Sequence, residues 1–354
     1  MFAEKNFYKN KKVFITGHTG FKGSWLCLFL DYLGAKVAGY ALSPDNKRDS
    51  LFNILNLDQK VESHIADIRD FEVLKSAINK FQPEIIFHLA AQPLVRESYK
   101  DPIFNYSTNV MGTVNLFEAV KDLDSLKSIV NVTTDKCYEN KEWIWPYRET
   151  DNLGGHDPYS ASKACSEIIT TSYRKSFFIG KKIAIASARA GNVIGGGDFS
   201  VDRIIPDIIQ SIKNKQNLII RSPNSIRPWQ HVFDVLNGYL LLAYKLCSDP
   251  QKFSCSFNFA PLDIKEVTVE DLARNFISNI GMGSYKIEKN NANLHEAEIL
   301  KLDASKAVKL LNWLPKYKTD LAINQTALWY KQYLNNSNLE LFCKNNIEDF
   351  FNSK

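Results

Sequence analysis

Lys12-Val13-Phe14-Ile15-Thr16-Gly17-His18-Thr19-Gly20-Phe21-Lys22-Gly23 is the stretch that decides the fold. Its first five residues are an apolar, β-branched run suited to a strand buried on both faces. Glycines at 17, 20 and 23 follow, and a helix is expected over residues 24–33, stopped by Gly34. Strand, glycine turn and helix in that order make a cradle for an anion. Glycine allows a tight turn and close backbone approach to a pyrophosphate, and a helix N-terminus offers free N–H groups and its positive dipole end. A glycine turn alone is common. Its place after the first strand of a βαβ unit makes it a dinucleotide signature.

Outward from this stretch, strand-like and helix-like segments alternate. Strands are expected over residues 35–40, 61–66, 84–89, 127–133 and 182–188, and helices over 71–80, 105–120 and 158–176. That order implies an α/β protein with a doubly wound parallel sheet. After Arg189 the alternation becomes irregular, with a glycine-rich loop over 191–198, one more strand over 256–260, and a helix-rich, polar stretch from Val267 onward. The expected division is a dinucleotide-binding domain over 1–188, with a returning segment at 232–262. A smaller α/β substrate domain takes 189–231 and 263–354.

Composition narrows the class without naming it. The chain has 354 residues, 45% hydrophobic and 23% charged, which excludes a disordered or collagen-like polymer. Lys plus Arg number 44 and Asp plus Glu 39, a difference of +5, too mild to mark a nucleic-acid partner. Residues 1–12 lack the apolar run of a signal peptide, and no apolar stretch approaches the ~20 residues of a membrane helix. The six cysteines include no CxxC pair and no His at metal-ligand spacing. Reduced thiols in a cytoplasmic protein, with no metal and no membrane, are the expectation.

Residues at the carboxyl ends of parallel strands face the ligand crevice. Besides residues 17–23, candidates there are Asp67 and Ile68 after the third strand and Leu89, Ala90 and Ala91 after the fourth. Asp67 suits either an adenine amino group or the cap of the helix before Phe71. No acid ends the second strand, where Tyr40-Ala41-Leu42-Ser43-Pro44 stands, so NAD and NADP are not separated there. The fifth strand runs into Thr133-Thr134-Asp135-Lys136. Tyr159 and Lys163, four apart, share one helix face. A cation beside a phenol favours phenolate and lowers its pKa toward that of a working base.

Tyr159-x-x-x-Lys163 after the fifth strand resembles the catalytic pair of the short-chain dehydrogenases/reductases. With the glycine motif, it resembles their extended branch, which acts largely on nucleotide sugars. Residues 16–26 (TGHTGFKGSWL), 88–98 (HLAAQPLVRES), 133–140 (TTDKCYEN), 154–164 (GGHDPYSASKA), 188–199 (ARAGNVIGGGDF) and 227–231 (RPWQH) narrow this further. They are similar to the CDP-glucose 4,6-dehydratases of the NAD-dependent epimerase/dehydratase family, and the likeness runs on through His295-Glu296-Ala297 and residues 302–306.

The resemblance implies a Rossmann fold, NAD, and a hydro-lyase reaction on CDP-glucose without net redox change. Tyr159 would take the O4 proton while hydride leaves C4. The 4-ketone then acidifies C5–H, the C6 hydroxyl leaves as water, and hydride returns to C6. Thr134 would bond near O4. Related dTDP-glucose dehydratases carry Asp-Glu as acid and base where this chain has Asp135-Lys136. Asp135 is then the acid and Lys136 the base, although neighbouring opposite charges resist both roles. By the same resemblance Asn192 positions the nucleotide sugar; Arg203 and Arg227 are candidates for the diphosphate, since Arg forks match phosphate oxygens, Arg96 for the sugar end, and His18 and Lys22 for added contacts to cofactor phosphates. His231 is expected to be structural. A homodimer through the Tyr159 helix and a place in bacterial surface-glycan deoxysugar synthesis are also implied. Other nucleotide-sugar dehydratases, 4-epimerases and a non-catalytic NAD-sensing protein are the alternatives.

Overall fold

The structure is a computed structural model that describes residues 6–263, 266–288 and 299–353. The His295-Glu296-Ala297 string lies outside the described residues. Strands β1 (Lys12–Thr16), β2 (Lys36–Ala41), β3 (Glu62–Ile65), β4 (Ile85–His88), β5 (Ser128–Val132), β6 (Ala184–Ala190), β7 (Val193–Ile194), β8 (Leu218–Ile220), β9 (Gln230–His231), β10 (Ser256–Phe259) and β11 (Tyr285–Ile287) follow in chain order. Seven of them form a parallel sheet in the order β10-β6-β5-β4-β1-β2-β3. The segment at 256–259 does return to the sheet, beside β6.

Thr16 pairs with Tyr40 on one side and His88 on the other. The chain therefore winds away from β1 in both directions, which opens a crevice at the carboxyl ends of β1 and β4. Side-chain alternation assigns the core. Val13 and Ile15 enter one apolar cluster while Phe14 enters the other, on the opposite sheet face. Both faces are covered, so these strands read as continuous apolar runs.

The longer helices are α1 (Phe21–Tyr32), α2 (Phe71–Phe81), α3 (Gly112–Val120), α4 (Pro158–Tyr173), α5 (Ile204–Lys213), α6 (Val232–Ser248), α7 (Val269–Ile280), α8 (Thr319–Leu334) and α9 (Leu339–Asn352). Three differ from expectation. α1 starts at Phe21, capped by Gly20 without a side-chain bond, so the turn itself is only residues 17–20 and Lys22 already stands in the first helical turn. The expected helix at 105–120 begins earlier, as Val95–Lys100 and Pro102–Tyr106, then a π-turn and α3. Asp101 caps Phe104 N–H and Pro102 takes the N1 position, which restarts the helix there. α9, expected with the substrate half, packs against the cofactor half: Phe351 lies 5.2 Å from Phe29 and 5.4 Å from Tyr32, ring to ring.

β8 pairs with β11 and β7 with β9, two small parallel ladders beside the carboxyl edge of the main sheet. Val193 and Ile194 of β7 and Leu218 to Ile220 of β8 line a cavity there.

Candidate active site

One cavity of about 810 Å³ lies along the carboxyl edge of the sheet. Its lining combines residues far apart in sequence: the glycine turn, Asp67 and Ile68, Leu89 to Ala91, Arg96, Thr134 to Lys136, Tyr159, Lys163, Asn192, Arg203 and Arg227. Every predicted site residue except His18 faces this space.

The glycine turn is built for close approach. Gly17 has φ +79°, and a Cβ there would sit 2.7 Å from the Ala90 nitrogen. A Cβ on Gly23 would lie 2.1 Å from the Gly17 carbonyl oxygen. Side chains are therefore excluded from both positions. Because Gly20 gives no side-chain cap, the first N–H groups of α1 lack a protein partner of that kind. This suits a pyrophosphate. Thr19 Oγ1 donates to the Leu42 carbonyl at 2.8 Å, tying the turn to the end of β2.

His18 is the correction. Its side chain is fully buried behind the turn, with Nε2 2.7 Å from Ser63 Oγ and its ring edge-on to Phe52. A Cβ on Gly39 would come within 2.2 Å of the ring. Burial pushes the imidazole down to about 4, so it is neutral and reaches no phosphate through its side chain. Asp67 is also resolved. Asp70, not Asp67, caps α2 by accepting from Val73 N–H. Asp67 instead forms a fork with Arg69, at 2.6 Å to Nη2, and lines the cavity. Burial raises its carboxyl, but the Arg69 bonds win and hold it below its ordinary value.

Lys22 has the opposite character. Burial, then Arg203 and Lys163 nearby, push its ammonium from 10.5 down to about 7, although Asp135 and Asp198 pull upward. Between about 7 and 10.5 the unfolded chain binds the proton and the folded chain does not, so stability rises with pH across that window. Below it both states are protonated and the full penalty of the buried charge is present. Lys22→Met is expected to stabilise the ligand-free protein by about 2 kcal/mol at pH 6 and by almost nothing near the top of the window. Urea denaturation at the two pH values reads this; equal gains at both would refute it.

The catalytic candidates converge at the end of β5. Asp157 caps α4 by accepting from Ser160 N–H at 2.9 Å, and Tyr159 N–H donates to Ser98 Oγ at 3.1 Å. These fix the start of the helix that carries both Tyr159 and Lys163. The Thr134 hydroxyl lies beside the Tyr159 phenol and donates to Asp135 Oδ1 at 2.9 Å. Asp135 Oδ2 is buried with no partner among the described residues. A Cβ on Gly191 would fall 2.1 Å from that oxygen, so this glycine leaves the carboxyl its room. Lys163 Nζ donates to the Val132 carbonyl at 3.3 Å.

The expected lowering of the Tyr159 pKa is overturned for the ligand-free chain. Burial pushes the phenol up to about 12, Thr134 beside it lowers it, Asp135 raises it, and Arg203 lowers it. Burial also brings Lys163 down to about 8, against the pull of Glu167 and Cys137. Desolvation outweighs the pairing that the spacing suggested.

The cation wall is more crowded than the sequence indicated. Arg203 pairs with Asp198 at 2.8 Å, and Arg96 and Arg221 both reach Asp202 Oδ1 at 3.4 Å. Arg221, Asp202 and Asp207 line the cavity without any sequence motif to mark them, and Asp198, inside the 188–199 string, lines it too. Glu167 was also missed. It lies one turn beyond Lys163 and accepts from Thr133, Ser187 and Arg189. A second spacing of four along α4 was its only signal.

Comparison with known proteins agrees with this geometry. A family model described as GDP-mannose 4,6 dehydratase matches residues 14–326. The chain is 48% identical over 355 residues to the CDP-glucose 4,6-dehydratase of Salmonella typhimurium, covering 99% of each. Among solved structures, an epimerase from Methanothermobacter thermautotrophicus superposes with a TM-score of 0.80 at 21% identity, covering 94% of this chain and 95% of that one. A dTDP-glucose 4,6-dehydratase from Bacillus anthracis in complex with NAD gives 0.74 at 22%, covering 91% and 97%. The parallel sheet, the glycine turn beside Tyr159 and Lys163, and a match across nearly the whole chain place this protein in the GDP-mannose 4,6-dehydratase family of nucleotide-sugar dehydratases.

Proposed function

We propose that the protein converts CDP-glucose into CDP-4-dehydro-6-deoxyglucose and water with NAD as resident cofactor. The observation that carries the reading is Thr134-Asp135-Lys136 in one cavity with Tyr159, Lys163 and the glycine turn. The residues suit the cofactor, since Gly17 and Gly23 leave no space for a side chain and the start of α1 has no side-chain cap. Gly17 to Gly23, with Asp67, Ile68 and Leu89 to Ala91, would hold it. When bound, NAD supplies the hydride acceptor for oxidation at C4 and the hydride that returns to C6.

The chain's own groups do the rest. Tyr159 takes the O4 proton, assisted by the Thr134 hydroxyl beside it. Lys163, one turn along, is the cation that favours the phenolate. The 4-ketone makes the C5 proton acidic, Lys136 removes it, Asp135 protonates the departing C6 hydroxyl, and Lys136 returns a proton to C5 once hydride has reached C6. Arg203, Arg227 and Asn192 orient the diphosphate, and Arg96 the sugar end.

The deciding experiment incubates the protein separately with CDP-, dTDP-, GDP- and UDP-glucose and follows each by mass spectrometry. Loss of one water from CDP-glucose in preference to the others supports the reading. An unchanged mass with altered sugar stereochemistry identifies an epimerase and overturns it. A homodimer belongs to the same proposal. Ile103 and Ile168 are 81% and 56% exposed on the packed helices Pro102–Tyr106 and α4, as a self-associating helical face requires. No described helix is long and apolar enough to cross a membrane, and the six free cysteines suit a reducing cytoplasm.

A further inference from the structure

Six aspartates line the cavity, and five of them are engaged. Asp67 holds Arg69, Asp135 accepts from Thr134, and Asp157 accepts from Ser160. Asp198 holds Arg203, and Asp202 takes Arg96 and Arg221. The sixth, Asp207 in the first turn of α5, has a carboxylate with no hydrogen bond or ion pair among the described residues. Its charged neighbours are Asp202, Arg221, Arg48 and Arg96. Burial and Asp202 raise its carboxyl to about 6 against the pull of the arginines, so it is ionised at neutral pH.

A free carboxylate in a cavity suited to phosphates must face a hydrogen-bond donor, because it would repel the diphosphate itself. Its surroundings say which part of the substrate brings that donor. Pro206 adjoins it on α5, and Leu218 and Ile220 of β8 are buried in the facing strand. All three line the cavity. Together they give the cavity an apolar patch beside the carboxylate, suited to the face of a flat heterocycle and poorly suited to a sugar.

We propose that Asp207 reads the nucleotide base, accepting a hydrogen bond from the exocyclic amino group of a cytosine held between Pro206 and β8. The inference rests on the nucleotide-sugar reading above and adds the base to it. Cytosine offers an amino donor at position 4, where uracil and thymine offer an oxo acceptor that a carboxylate repels. Asp207 is thus a specificity-determining residue with no part in the chemical steps.

Calorimetric titration of the full chain with CDP and with UDP tests this without any turnover. The wild-type protein is expected to bind CDP at least about tenfold more tightly than UDP. In Asp207→Asn, whose amide can donate to an oxo group, the two affinities should converge to within about twofold. Asp207→Ala should narrow the gap mainly through weaker CDP binding. Equal affinities in the wild type, or variants that weaken both nucleotides by the same factor, would overturn the assignment; the latter indicates a ribose-hydroxyl contact. Failure to dehydrate CDP-glucose would count against the reaction alone, since binding is read separately.

Discussion

Replacing Tyr159 by Phe is expected to lower kcat by about 1,000-fold while KM for the nucleotide sugar stays within about threefold. The ring is buried and the backbone is held independently, by Ser98 and by the Asp157 cap. The variant therefore keeps its fold and loses one oxygen. That oxygen lies beside Thr134, whose hydroxyl keeps Asp135 as its acceptor. In the ligand-free chain the phenol sits at about 12, so it works as a base only when cations are brought against it. Arg203 already lowers it, and Lys163 lies one turn away. A variant with kcat within tenfold of wild type would remove Tyr159 from the chemistry.

Arg189→Met should cost about 3–5 kcal/mol in urea denaturation, the largest stability effect expected of any single change discussed. Arg189 and Glu167 are 2% and 1% exposed and meet at 2.8 Å. The guanidinium also donates to Tyr138 Oη at 2.7 Å and to Ser256 Oγ at 3.2 Å. Burial raises the Glu167 carboxyl, but Arg189, Thr133 and Ser187 overcome it and hold the group below its ordinary value. Removing the arginine leaves a buried, uncompensated carboxylate. The double variant Glu167→Gln/Arg189→Met should recover most of the loss, because no lone charge remains. Without such recovery, the penalty would come from lost packing instead. Glu167 also anchors Thr133, next to Thr134, so the single variant should lose activity as well as stability.

Much of the fold was legible because its signals are local. The run 12–16 is buried on both faces, and β-branching with continuous apolarity reports that directly. Glycine at 17 and 23 reports a close approach, with Ala90 in one case and the Gly17 carbonyl in the other. The π-turn at Ser107–Met111 left no comparable trace, nor did the docking of α9 on α1, which depends on Phe29 meeting Phe350 and Phe351.

The sequence by itself determined the parallel α/β sheet, the glycine cradle and the placing of Tyr159 and Lys163 on one helix face, since each is written in residues at most a few positions apart. Only the tertiary structure decided which charged groups share the cavity and in what state. His18 was expected at the phosphates, yet it fills the space over Gly39 and is neutral. The Tyr159 phenol was expected low, yet it stands high. Asp207, marked by no motif, proved to be a cavity carboxylate without a hydrogen-bond or ion-pair partner among the described residues. The reason is physical. Secondary structure follows from short-range sterics and periodicity, whereas a group's charge depends on its desolvation and on neighbours that arrive from elsewhere in the chain.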